Sequence, residues 1–99
     1  MAVSGKCDPK FAKVKEEFEK NFAARGEVGA SVCLSVNGET AVDLWGGMAN
    51  PETGDPWQED TISIVFSCTK AAVATCAHIL IDRGQLNPDA LVKEYWPEF

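Results

Sequence analysis

TISIVFSCTKAAVATCAHILIDRG, residues 61–84, is the stretch that decides how this chain folds. Its first six residues are short and rich in β-branched side chains, so 61–66 read as a strand delivering the chain into Ser67. Residues 67–83 then predict a helix, with Gly84 closing it. Alanine, valine, isoleucine, leucine and cysteine recur on every side of that helix, and no charge follows Lys70 until Asp82. A helix apolar all round is expected at the centre of a larger arrangement, buried on all faces.

Upstream there is little to bury it. Asp8-Pro9 reads as a helix start, a capping carboxylate followed by proline at the first helical position. Phe11, Val14, Phe18 and Phe22 recur at helical spacing as one apolar stripe, and Arg25-Gly26 ends it. Residues 28–36 alternate, with Val28, Ala30, Val32, Leu34 and Val36 on one side. Asn37-Gly38 is the strongest short-range hairpin signal, and residues 39–45 run back with Ala41 or Val42 and Leu44 facing inward. Gly46-Gly47 is expected to stop that strand, and residues 50–60 to form an acidic loop. Residues 85–99 open on a turn at Asn87-Pro88 and close on an aromatic cluster. No internal repeat, linker or domain boundary shows. One helix and one hairpin cannot enclose an all-apolar helix, and a lone hairpin is marginal. Residues 1–99 are therefore expected to be part of a single larger domain, incomplete on their own.

Composition narrows the function. With 45% hydrophobic and 24% charged residues the chain is globular in type, which excludes wholesale disorder and low-complexity arrays. Nine basic against fifteen acidic residues give a net charge of −6, the wrong sign for a nucleic-acid binder or for an anionic membrane surface. No apolar run approaches the roughly 18 residues of a membrane span. Residues 1–10 lack the apolar core of a secretory signal, so a cytoplasmic address is expected. Cys7, Cys33, Cys68 and Cys76 form no metal-ligand spacing. Cys68 and Cys76 on one helix stand roughly 12 Å apart, too far to bridge. They are expected to be reduced and mostly buried. From Glu39 to Asp60 there are acidic residues and no basic one, which reads as a solvated face.

The chemistry-bearing pattern is Ser67-Cys68-Thr69-Lys70, an S-x-x-K opening the apolar helix. Positions i and i+3 share a helix face, so Lys70 Nζ can reach Ser67 Oγ. Burial at the positive end of a helix dipole disfavours an ammonium, which suits a lysine to take the serine proton. The serine's own backbone N–H is a ready oxyanion donor. By spacing alone S-x-x-K is common, and a serine cap beside a solvated lysine is the plainer reading. Here the strand leading into Ser67 and the charge-free helix behind Lys70 favour the chemical one.

Residues 42–70, VDLWGGMANPETGDPWQEDTISIVFSCTK, resemble the β-lactamase-related serine hydrolases, nearest to the class C β-lactamase-like carboxylesterases. The likeness is carried by Asp43-Leu44-Trp45-Gly46-Gly47, Thr53-Gly54, Pro56-Trp57, Asp60-Thr61 and Phe66-Ser67-Cys68-Thr69-Lys70. Arg83-Gly84 and the segment from Leu86 to Phe99 extend it. The resemblance implies an α/β (α+β) fold of the β-lactamase/penicillin-binding-protein type. In it an antiparallel sheet flanked by helices joins a helical region. This chain supplies the first helix, the hairpin and the serine-bearing helix. The resemblance also implies Ser67 as acyl-accepting nucleophile and Lys70 as its base partner, acting on small carboxylic esters or amides, with β-lactams as further candidates. No metal or organic cofactor is implied. The family's downstream tyrosine and second oxyanion strand have no match here, since Tyr95 sits in E-Y-W-P-E-F. Those parts are expected from the rest of the polypeptide or a companion chain, and a homo-oligomer is left open. The alternatives are a non-catalytic scaffold or assembly module, and a peptidase like the penicillin-binding proteins.

Other candidates weigh less. His78 lies eleven residues beyond Ser67 along the helix, too far for a dyad. Cys68 reads as a small neighbour of the nucleophile rather than a redox centre. Trp45, Trp57 and Trp96 read as packing residues. The nucleophile elbow G-x-S-x-G is absent, because Val65 stands two before Ser67.

Overall fold

The phenylalanine stripe and the hairpin meet as the pattern requires. The structure, a computed structural model, describes residues 2–99 and divides by contacts into two units, Met1–Ile62 and Ser63–Phe99. No composition shift marks that boundary in the sequence.

The first unit is a sheet with one helix on it. Asp8 caps the helical entry, accepting a 2.8 Å hydrogen bond from the Lys10 N–H ahead of a 3-10 turn at Pro9–Phe11. Helix α1 follows at Ala12–Ala24, and Gly26 leaves it with φ 75°. Strands β2 (Gly29–Val36) and β3 (Glu39–Asn50) pair antiparallel about Asn37-Gly38. Both turn residues have positive φ, 52° and 81°, the type I′ geometry whose twist matches the strands. The register runs Leu34 to Val42 and then Ser35 to Thr40, so Ala41 is an extra residue bulged out of the ladder. That settles the inward residue as Val42.

Val42 (0% exposed), Leu44 (1%) and Phe18 (8%) form the core. Phe11, Val14 and Phe22 of the predicted stripe pack around it, with Ala30, Val32 and Leu34 from β2. Phe18 and Phe22 meet edge to edge-on face, centroids 5.2 Å apart at 80°. Each such buried side chain contributes about 1.5–3 kcal/mol.

Three sequence expectations change in this unit. A strand β1 at Val3–Cys7 adds to β3 on the side away from β2, giving the order β1-β3-β2. Its residues VSGKC lack alternation, and only the partner strand makes them extended. Gly46-Gly47 does not stop β3. Gly47 continues the strand at φ 83°, and a side chain there would strike the Val28 carbonyl and the Phe22 ring. The two glycines therefore admit close packing rather than end pairing. Within the acidic loop, Asp55–Pro56 forms a short β4 against β3, and the Trp57 N–H donates to the Gly47 carbonyl at 3.0 Å.

The second unit is built on helix α2, Thr69–Asp82. It ends in a Schellman motif: Gln85 N–H donates to Leu80 O at 2.8 Å and Gly84 N–H to Ile81 O at 2.9 Å, with Gly84 at φ 68°. A short helix α3, Val92–Tyr95, follows. The Tyr95 hydroxyl accepts from the Asn87 N–H at 2.8 Å, tying the turn to α3. Trp96 and Phe99 rest on each other at 5.4 Å. Residues 61–65 are not a strand, since no partner among the described residues pairs with them, and Ile62 and Ile64 are exposed. Nor is α2 buried. None of its residues is, and Val73, Ile79 and Leu80 face solvent. The helix forms as predicted, but this unit is too small to cover it.

Candidate active site

The chain reaches α2 through a turn it does not enter freely. Phe66 has φ 45°, in the left-handed region, where a bulky side chain costs about 1–3 kcal/mol. A 3-10 turn at Phe66–Cys68 follows, closed by the Cys68 N–H donating to Val65 O at 3.1 Å. α2 begins at Thr69, so Ser67 belongs to the tighter turn just before the helix and not to its first α residue. No sequence signal announces this conformation, because phenylalanine is a poor residue for it.

Lys70 Nζ donates to Ser67 Oγ at 3.0 Å. The i, i+3 spacing places the two on one side of the turn, as the pattern predicted. Both side chains are exposed, against the expectation of a buried lysine. They open onto a cleft of about 640 Å³ lined by Phe66, Thr69, Val73 and Ala77 as well. Its lining is mostly apolar. A hydroxyl and an amine at bonding distance, facing an apolar cleft, can pass a proton while the oxygen attacks an electrophile.

The remaining candidates stay apart from this pair or do structural work. His78 is exposed, eleven residues farther along α2. Cys68 is an exposed free thiol, as are Cys33 and Cys76, while Cys7 is half-buried. The expectation of buried thiols fails, because β2, the turn at Phe66–Cys68 and α2 leave those positions uncovered. Trp45 and Trp57 are half-buried in the sheet unit. Among the described residues no cluster of histidine, cysteine, aspartate or glutamate could hold a metal ion. No described helix is long and apolar enough to cross a membrane.

Among the described residues the one strongly shifted titratable group lies elsewhere, at Glu17 on α1. Lys20 donates to the Glu17 carboxylate at 2.7 Å and Arg25 at 2.6 Å. These bonds, Lys20's first, hold Glu17 well below the usual carboxylate range, at about 2.

A family model described as Beta-lactamase matches residues 15–99. Esterase/beta-lactamase LipL of Mycobacterium tuberculosis is 40% identical over 97 residues, 98% of this chain and 23% of that protein. Esterase EstB of Burkholderia gladioli is 35% identical over 88 residues, 89% of this chain and 22% of that one. Among solved structures, a family VIII carboxylesterase superposes with TM-score 0.95 at 43% identity, over 99% of this chain and 27% of that one. A penicillin-binding-protein homologue from Caulobacter crescentus does so with TM-score 0.93 at 42% identity, over 99% and 26%. The chain spans about a quarter of the length of each of these relatives. The fold expected from residues 42–70, an antiparallel sheet with helices of the β-lactamase and penicillin-binding-protein type, is the one found. With its S-x-x-K turn, its hairpin and most of its first helix inside residues 15–99, the chain belongs to the β-lactamase family.

Proposed function

We propose that the polypeptide carrying these residues is a serine hydrolase that cleaves carboxylic esters through an acyl-enzyme. Ser67 Oγ attacks the ester carbonyl carbon while Lys70, as the amine, accepts the hydroxyl proton. The Ser67 backbone N–H steadies the oxyanion. The tetrahedral intermediate collapses, the alkoxide leaves with the proton from Lys70, and water then hydrolyses the Ser67 ester. The observation that carries this reading is the 3.0 Å contact between Lys70 Nζ and Ser67 Oγ at the mouth of an apolar cleft. Esters are favoured because EstB and the family VIII carboxylesterase bear esterase names alone, while LipL is named both esterase and beta-lactamase.

Residues 1–99 act here as the N-terminal part of one domain. The exposed apolar side chains of α2 support this, since a mature core would cover Ile79 and Leu80. In this reading the rest of the polypeptide covers α2 and supplies the third catalytic group and the second oxyanion donor. Four free thiols favour a reducing, cytoplasmic setting.

The test is a fluorophosphonate probe on the complete polypeptide, read by intact mass. The expected result is one adduct, mapping to Ser67 and lost in Ser67→Ala. An unlabelled wild type, or a label that survives the mutation, overturns the assignment and leaves a non-catalytic scaffold of the same fold.

A further inference from the structure

We propose that Phe66 is a positioning residue: its left-handed backbone stops the hydrogen-bond ladder of the turn at Cys68 and so keeps the Ser67 N–H free to receive the oxyanion. The inference rests on the serine-hydrolase reading above, and it assigns the Phe66 ring no part. Three observations carry it. The Cys68 N–H donates to Val65 O at 3.1 Å and the Thr69 N–H to Phe66 O, whereas no carbonyl of the described residues accepts from the Ser67 N–H. The interruption falls beside Phe66, whose φ is 45°. Val65, on the far side of it, is already nearly helical at φ −100° and ψ 5°.

Phe66 is thus what separates Val65 from the helix. With Phe66 at an ordinary right-handed φ, residues 65–68 would run on as one helical turn. The Ser67 N–H would then point back along the ladder to the carbonyl of Ile64 or Ser63. An N–H already bonded there does not serve the tetrahedral intermediate. The left-handed residue keeps it out of the ladder, at the steric cost that a bulky side chain carries in that region. The donor matters most once the carbonyl oxygen bears charge, so losing it slows acylation more than it weakens substrate binding. It also distinguishes atoms. The sulfur of a thiono ester lies farther out than a carbonyl oxygen and accepts a weaker hydrogen bond, so the thiono ester gains less from the N–H.

The test uses the complete polypeptide, p-nitrophenyl acetate and its thiono analogue, with Phe66→Gly, Phe66→Asn, Phe66→Val and Ser67→Ala. The readout is the ratio of kcat/KM for the oxygen ester over the thiono ester. Glycine and asparagine accept a left-handed backbone and should hold that ratio within about fivefold of wild type. The Phe66→Gly thermal midpoint should not drop. Valine, β-branched, resists the conformation, and its ratio is expected to fall at least about tenfold, through kcat rather than KM. If Phe66→Val does not fold, the other two decide alone. A ratio held in all three variants overturns the proposal, and so does a ratio lost in Phe66→Gly or Phe66→Asn, which would assign the effect to the ring. In either case turnover abolished by Ser67→Ala leaves the hydrolase reading standing. Turnover absent from wild type, or surviving in Ser67→Ala, removes both readings together.

Discussion

Lys70 Nζ stands 3.0 Å from Ser67 Oγ across the point where a 3-10 turn becomes helix α2. The contact joins two exposed side chains, so it costs the fold little and is available for chemistry. Lys70→Met keeps the length of the stem and removes the nitrogen. The acylation rate, followed by ester burst or probe labelling, is expected to fall about 10²–10⁴-fold with the urea midpoint unchanged. Lys70→Arg should not restore it, because a guanidinium does not give up its proton. A rate within a few-fold of wild type would remove Lys70 from the proton path.

The sheet unit makes a contrasting case. Leu44 is 1% exposed and packs beneath α1 with Val42 and Phe18. Leu44→Ala leaves a cavity there and is expected to cost about 2–5 kcal/mol in urea unfolding of the complete polypeptide. A loss well below that range would mean the site collapses around the smaller residue.

Two glycines with similar backbones should respond differently to alanine. Gly47 has φ 83° and its missing side chain faces the Val28 carbonyl and the Phe22 ring, whereas Gly26, at φ 75°, faces open space. Gly26→Ala should cost only the left-handed penalty of about 1–2 kcal/mol. Gly47→Ala adds overpacking and is expected to cost about 1–3 kcal/mol more. Equal losses in urea unfolding would contradict the close approach at Gly47.

Glu17 gives a pH dependence with a definite sign. Its carboxyl is lowered from 4.5 to about 2, chiefly by the Lys20 hydrogen bond and then by Arg25. A depressed acid favours the folded state above its ordinary pKa, and that contribution fades as pH falls from about 4.5 towards about 2. The side chain is exposed, so the effect is small and weakens with salt. An NMR titration of the Glu17 carboxyl should show a midpoint below the normal range. Lys20→Met should shift that midpoint upward more than Arg25→Met does.

Much of this was legible in the sequence because short-range rules governed it. The stripe Phe11, Val14, Phe18, Phe22 follows helical spacing, and Asn37-Gly38 demands a turn with two positive φ angles. Ser67 and Lys70 meet because i and i+3 meet on any helical turn. Strand β1 was not legible. Nothing in VSGKC marks it as extended, and its conformation comes from pairing with β3, whose residues lie some forty positions on. Residues 61–66 erred the other way, having strand propensity and no strand to pair with.

By itself, then, the sequence determined the first helix, the serine-bearing helix, the hairpin, the family and the meeting of Ser67 with Lys70, but not the short α3. Each of these depends on neighbours within a few residues or on motifs that survive without context. Only the tertiary structure decided that β1 joins the sheet, that Gly46-Gly47 lies inside a strand, and that Phe66 turns left-handed before Ser67. It also left the apolar α2 uncovered within residues 2–99. Strand pairing, close backbone approach and burial are set by groups distant in the chain, and local propensity carries no record of them.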